Sequence, residues 1–253
     1  MVYMHILKEN NNNFIVVILA GGKGTRLSEE THRIPKPMVK IGKKPIISHI
    51  INIYRNYGLK NFYILGGYKF KIIKDYFNKN KNIHVVNTGM NTMTGGRLYK
   101  ILKKISKSNF NKDFFLTYGD GVSDIEISKV YKFHKKNKKI ATMTVVRPPA
   151  RWGYAILKHK FVKNFEEKNQ HKEGWINGGF FVINLRILKF FKKFKNKNNI
   201  VFEKDILPQL SKKKELVAYK HQNFWQCMDN IRDKYLLNKI WQINKKWKPL
   251  NEK

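Results

Sequence analysis

Two kinds of hydrophobic pattern run along the chain. The stretch Phe14-Ile15-Val16-Val17-Ile18-Leu19-Ala20 is apolar throughout and rich in β-branched residues, as a strand covered on both faces must be. Gly21-Gly22 ends it. Lys8 ahead of an apolar stretch closing on Ala20 also fits a secretory leader, but the β-branched content and the chemistry that follows favour a buried strand. Downstream, segments with helical spacing alternate with short apolar runs. Helices are predicted over 45–57, 70–77, 96–105 and from an Asp124 cap to 134, and strands over 61–65, 83–87, 114–118 and 141–146. Pro45 is tolerated in a first turn, and Gly58 marks the stop of that helix. Such alternation predicts an α/β fold with a doubly wound, mostly parallel sheet and helices on both faces.

The second half is less regular. Shorter strands are predicted over 154–157, 161–165, 180–183 and 215–219, with helices near 185–194, 202–210 and 231–245. They read as a smaller, mixed-sheet region facing the substrate. No Pro/Gly/Ser linker and no internal repeat separates the halves, so 14–247 is expected to be one domain between flexible tails at 1–13 and 248–253.

Charge changes the picture more than composition does. Of 253 residues, 42% are hydrophobic and 13% aromatic, enough for a folded core and well outside the disordered class. Yet 52 Lys+Arg face 17 Asp+Glu, a formal net charge of +35. Clustered basic residues would imply a nucleic acid or an anionic membrane as partner. The lysines are instead spread along the chain between apolar residues, as in Lys189-Phe190-Phe191-Lys192-Lys193-Phe194-Lys195, and no zinc-finger, homeodomain or RNP pattern accompanies them. Neither nucleic acid nor membrane is therefore expected as partner. Cys227 is the single cysteine, which removes an intrachain disulfide and points to a reducing, cytoplasmic setting. No apolar run approaches the ~20 residues of a membrane span. The eight histidines form no His-x-x-x-His or His-Glu pair.

The most specific chemistry follows the first strand. Gly21-Gly22-Lys23-Gly24-Thr25-Arg26-Leu27 places three glycines and an arginine at the carboxyl end of a buried strand, where open α/β sheets bind ligands. Backbone N–H groups there can approach a phosphate closely, and the Arg26 fork adds donors. It is neither a dinucleotide fingerprint, because Leu27 stands where the third glycine belongs, nor a P-loop, whose Gly-Lys-Ser/Thr ending is missing. Pro35-Lys36-Pro37 then holds a lysine between two conformationally fixed residues.

These two segments, read together, resemble the opening of the sugar-phosphate nucleotidyltransferases. Within that family the ordered set Met93-Thr94-Gly95-Gly96-Arg97, Thr117-Tyr118-Gly119-Asp120-Gly121-Val122, Ile176-Asn177-Gly178-Gly179 and Phe224-Trp225-Gln226 with Met228-Asp229 is similar to the branch that makes CDP-glucose. The resemblance runs from about Phe14 to Trp247. It implies a Rossmann-like nucleotidyltransferase fold and a Mg²⁺-dependent enzyme that joins CTP to α-D-glucose 1-phosphate, releasing pyrophosphate, in nucleotide-sugar biosynthesis for surface polysaccharide such as O-antigen. Other readings of the same chemistry use UTP, dTTP or GTP, or another sugar 1-phosphate. One of a different class is a basic nucleic-acid-associated protein on the same fold.

What the resemblance implies for residues is specific. Asp120 and Asp229 would hold the metal, and with Arg26 and Lys36 they would form the catalytic set. Leu19, Ala20, Gly21, Gly22, Gly24, Thr25, Arg26, Lys36, Thr92, Arg97 and Gly119 would contact the nucleotide, Arg26 stabilising the leaving pyrophosphate. Glu167, Lys168, Asn177 and Gly178 would take the sugar and its phosphate, and Trp225 is either a stacking platform or a core residue. Asn169 and Cys227 stand where the family has proline, and the segment between Phe77 and Val85 is shorter than in the family. A homo-oligomer is possible within the family, and that shorter segment bears on its subunit contacts.

Overall fold

The computed structural model describes residues 13–148, 154–166, 174–243 and 247. A seven-stranded sheet organises the chain. In chain order its strands are β1 (Ile15–Ala20), β4 (Asn61–Gly66), β5 (Ile83–Asn87), β6 (Asp113–Tyr118), β8 (Ala141–Val146), β11 (Ile176–Asn184) and β12 (Leu216–His221). Three two-stranded ribbons supply the rest: β2 (Lys40–Ile41) with β3 (Lys44–Pro45), β7 (Gly121–Ser123) with β13 (Trp225–Cys227), and β9 (Tyr154–Lys158) with β10 (Phe161–Glu166). The order across the large sheet is β12-β8-β11-β6-β1-β4-β5, and every neighbouring pair is parallel except the two made by β11.

The chain runs from β1 outward through β4 and β5 and then returns to the other side of β1 with β6. Connections therefore diverge between the carboxyl ends of β1 and β6, which opens a crevice there. The strands expected at 180–183 and 215–219 belong to this main sheet. Of the smaller region, the described residues contain the β9/β10 hairpin.

Apolar residues cover both faces of β1, as its composition requires. Val16, Ile18 and Ala20 join one core with α1 (Ile46–Arg55) and α4 (Ile127–Asn137). Ile15, Val17 and Leu19 join the opposite one with α3 (Thr94–Ile105) and the 185–210 segment. Helix α2 (Phe70–Tyr76) packs between β4 and β5 in sequence, and α5 (Leu207–Lys212) and α6 (Ile231–Ile243) follow later. Among the described residues no helix is long and apolar enough to cross a membrane.

Four expectations need correction. The third helix starts at Thr94, not Gly96, because the glycine pair is packed against a neighbouring backbone that sequence alone does not show. Asp124 does not cap α4. Its carboxylate pairs with His221 at 3.0 Å, and the helix begins only at Ile127. The stretch 185–194 forms a 3-10 turn and a single α turn (Leu188–Phe191). The stretch 202–210 opens as a π-helical turn, Phe202–Ile206, ahead of Leu207-Pro208, where proline lacks the N–H an α turn needs.

Candidate active site

The crevice between β1 and β6 holds a cleft of about 670 Å³. The loop Gly21–Arg26 forms one wall, Lys36-Pro37 and the β6 end Tyr118-Gly119-Asp120 a second, and Met90–Thr94 a third. A smaller cleft of about 220 Å³ adjoins it. Asn177, Gly178, Trp225, Cys227 and Asp229 line that one, and Arg26, Tyr118 and Asp120 border both.

Asp120 and Asp229 are 109 positions apart in sequence and meet through the β7/β13 ribbon. Asp120 directly precedes β7, and Asp229 lies just past β13. The ribbon pairs Gly121 with Cys227, and the Met228 N–H donates to the Asp120 carbonyl at 2.8 Å. One end of the ribbon thus presents both carboxylates. Asp233, on the first turn of α6, fixes the second from behind: its carboxylate accepts the N–H groups of Asp229 (2.9 Å) and Asn230 (3.2 Å), and Asn230 caps Asp233 in return at 3.1 Å.

Lys36 stands between the two aspartates. Its Nζ donates to Asp120 Oδ2 at 2.8 Å and to Asp229 Oδ1 at 3.1 Å, so the two oxygens lie within about 6 Å of each other. Burial alone would lower the lysine's pKa, but the charges and hydrogen bonds of Asp120 and Asp229 outweigh it and hold the ammonium above its ordinary value. The 3-10 turn Lys36–Met38 after an extended Pro35 aims the side chain there. Arg26 pairs with the Oδ2 of Asp229 from the opposite side. Its side chain is 76% exposed, so it is free to turn toward an anion in the cleft.

Arg97 has a different role from Arg26. It is buried, and through Nη1 it donates to the Gly66 carbonyl (3.1 Å), Thr88 Oγ1 and the Gly89 carbonyl (2.8 Å). Through Nη2 it donates to the carbonyls of Gly21 (3.0 Å) and Met90 (3.3 Å). One guanidinium thereby ties the loops after β1 and β5 to the carboxyl end of β4. Gly21 is a glycine for this reason, because a Cβ there would sit 2.2 Å from the Arg97 side chain. Gly24 has φ +68°, the left-handed conformation that glycine supplies at little cost. Gly119 passes so close to Pro37 and the Leu19 carbonyl that a Cβ would be crowded.

Other sequence-derived candidates fall as follows. Leu19, Ala20, Gly22, Thr25 and Thr92 line the larger cleft, Thr92 with its hydroxyl donating to the Thr88 carbonyl at 2.6 Å. Asn177 and Gly178 line the smaller one, and so does the half-buried Trp225, whose Nε1 donates to the Gly178 carbonyl at 2.7 Å. Glu167 and Lys168 lie outside the described residues. Three residues escaped sequence reasoning: Tyr118 as a wall shared by both clefts, Glu203 behind it, and Asp233. Only Asp233 carried a readable signal, the Asn230-x-x-Asp233 capping spacing.

The donor set fits a hard divalent cation. Two carboxylates converge on one positive charge beside a cleft, and among the described residues no third His, Cys, Asp or Glu joins them. Magnesium-like ions use one or two carboxylates and complete their shell with water and substrate phosphates.

Residues 15–241 match the nucleotidyl transferase family model. The chain belongs to the nucleotidyl transferase family. Enzymes of this family generally depend on a divalent metal, in keeping with the paired carboxylates. The transferase is 39% identical over 258 residues to the glucose-1-phosphate cytidylyltransferase of Salmonella typhimurium, covering 92% of this chain and 98% of the relative. Its fold is shared with a UDP-glucose pyrophosphorylase solved with UDP-glucose (TM-score 0.69, 18% identity, 90% and 98% of the two chains). HddC from Yersinia pseudotuberculosis has it too (TM-score 0.67, 24% identity, 90% and 99%).

Proposed function

We propose that this nucleotidyl transferase moves a cytidylyl group from CTP to α-D-glucose 1-phosphate, giving CDP-glucose and pyrophosphate. The observation that carries the reading is the convergence of Asp120, Asp229 and Lys36 where the two clefts meet, since a transfer between two phosphates needs that border charged and organised. The choice of cytosine and glucose rests on similarity to the Salmonella enzyme.

The larger cleft would take the triphosphate and nucleoside, and the smaller cleft the sugar. A phosphate oxygen of the sugar phosphate attacks the α-phosphorus, a new P–O bond forms in line, and the α–β bridge breaks to release pyrophosphate. The attacking oxygen is already anionic at neutral pH, so no side chain has to remove a proton. Asp120 and Asp229 would hold Mg²⁺, whose charge would offset that of the phosphates during transfer. Lys36, released from the carboxylates as phosphates arrive, offers its ammonium to the α-phosphate. Arg26 would swing over the departing pyrophosphate. The work of the chain is thus to position and to neutralise. The single thiol and the phosphorylated substrates fit a cytoplasmic setting.

Pyrophosphate release should be measured with Mg²⁺, each common nucleoside triphosphate and a panel of sugar 1-phosphates. CTP with glucose 1-phosphate is expected to be turned over best. Turnover of a different pair in preference to it would transfer the assignment to that pair. Asp120→Asn and Asp229→Asn should each lower kcat by orders of magnitude, because the charge they anchor is worth several kcal/mol in the transition state; full activity in either variant removes that residue from the metal set.

A further inference from the structure

Glu203 lies outside both clefts, on the π-helical turn Phe202–Ile206, and touches residues that belong to each of them. Tyr118 donates its hydroxyl proton to Glu203 Oε1 at 2.6 Å. Thr94, at the start of α3, donates its own to Glu203 Oε2 at 2.7 Å. Tyr118 borders both clefts and Thr94 the larger one. On the sugar side, the Asn177 amide nitrogen donates to the Tyr118 oxygen at 3.1 Å, and its carbonyl oxygen accepts the Gly179 N–H at 2.8 Å. On the nucleotide side, the Thr94 oxygen accepts the Phe202 N–H at 2.9 Å.

Every bond in this chain has one possible direction. A backbone N–H can only donate, so Gly179 fixes which end of the Asn177 amide is oxygen and Phe202 fixes the Thr94 hydroxyl as an acceptor. An ionised carboxylate can only accept, so Tyr118 must give its single proton to Glu203 and take one from Asn177. The turn that carries Glu203 is itself docked on the start of α3: the Gly96 N–H donates to the Ile200 carbonyl at 3.0 Å and the Met93 N–H to the Asn198 carbonyl at 2.8 Å. Gly95 and Gly96 leave no room there for a side chain, since a Cβ at either would lie within 2.6 Å of the 197–200 segment.

We propose that Glu203 is a positioning residue that registers the two substrate sites against each other: by accepting from both Tyr118 and Thr94 it fixes the orientation of the Asn177 amide in the sugar cleft and of the α3 start in the nucleotide cleft. The proposal rests on reading the two clefts as sugar and nucleotide sites. Glu203→Gln is the sharp perturbation, because an amide nitrogen must donate where the carboxylate accepted. Whichever neighbour meets that nitrogen has to reverse. Reversal at Tyr118 sends its proton toward Asn177, against the direction that Gly179 imposes.

The test is steady-state kinetics with CTP and glucose 1-phosphate, or with the best pair of the panel. Glu203→Gln is expected to raise KM for the sugar 1-phosphate about tenfold, the scale of one misdirected hydrogen bond, and to lower kcat. Tyr118→Phe removes the same link from the other side without altering Glu203, and serves if the first variant folds poorly. The double variant should be no worse than the poorer single, because both break one chain. Sugar KM and kcat within twofold of the parent in Tyr118→Phe and in a folded Glu203→Gln would overturn the positioning role, as would single effects that multiply in the double variant. A parent protein silent across the whole panel overturns the reaction reading and this role with it, whereas an active parent with indifferent variants overturns this role alone.

Discussion

Replacement of Arg97 tests how the larger cleft is built. The buried guanidinium bonds five oxygens at or just past the carboxyl ends of three strands, all of them neutral. Two of its acceptors have other partners: the Gly21 carbonyl also takes the Tyr68 N–H, and the Gly66 carbonyl the Thr88 N–H and hydroxyl. Arg97→Met therefore chiefly strands the Gly89 and Met90 carbonyls, both only part-buried, because the Thr88 hydroxyl keeps its bond to the Gly66 carbonyl. At roughly 1–3 kcal/mol for each buried group left unpaired, and toward the lower end for two part-buried carbonyls, the net loss should be about 2 kcal/mol. For a chain of this size 1 kcal/mol corresponds to roughly 2–4 °C, so the melting temperature should fall by about 6 °C. Thermal unfolding followed by circular dichroism measures it, with urea midpoints as a second reading. Arg97→Lys keeps the charge but cannot span three strand ends with one ammonium, so it should recover less than half of the loss. In the folded fraction KM for the nucleotide should rise, because 89–93 is the loop released. A melting temperature within about 3 °C of the parent would refute the reasoning and leave Arg97 as a ligand contact only.

Two further predictions concern groups outside the phosphate path. Asp113 is buried, and although burial alone would raise its pKa, hydrogen bonds from His134 and Asn184 and the charges of His134 and Lys135 lower it to about 2. A carboxyl depressed from its unfolded value near 4 gives stability that is present above pH 4 and lost as pH falls toward 2, about 2 kcal/mol here; the urea-midpoint gap between the parent and Asp113→Asn should shrink between pH 5 and 3, and a constant gap contradicts the assignment. Burial and the neighbouring carboxylates, Asp120 foremost, push the Cys227 thiol up to about 12, so at pH 8 iodoacetamide should modify it at least about a hundredfold more slowly in the native protein than in urea. Equal rates would show that the thiol is ionised in the fold.

How far the sequence reads depends on whether the cause of a feature is local. β1 was legible because a strand covered on both faces needs an unbroken apolar run, and Gly21-Gly22 marks its end. The start of α3 was hidden for the opposite reason: Gly95 and Gly96 are poor helix formers, and what holds them in the helix is the backbone at 197–200, more than a hundred positions away. The same distance concealed Glu203. Its neighbours Thr94 and Tyr118 lie 109 and 85 positions off, and no spacing rule connects them. Sheet order was equally silent, since nothing in the strands themselves says that β11 inserts antiparallel between β6 and β8. Gly21 is the instructive case in the site. Its place in a glycine-rich turn reads as room for a phosphate, yet the room is taken by Arg97, and the glycine serves the ligand through the arginine.

That substitution of roles bears on the net charge of +35. Lys36 and Arg26 are both answered by carboxylates, Asp120 and Asp229, so much of their field cancels within the site. Arg97 is answered only by the partial charges of carbonyls and a hydroxyl among the described residues, which satisfy its hydrogen bonds without cancelling its unit of charge. Buried beneath the larger cleft, away from screening water, it biases that cleft toward anions before any ligand arrives. Exposed lysines elsewhere act through solvent and fade beyond about 10 Å at moderate salt. The charge that biases the larger cleft toward anions is therefore the one held in the fold, and the many on the surface add chiefly to the rate at which anions are drawn in.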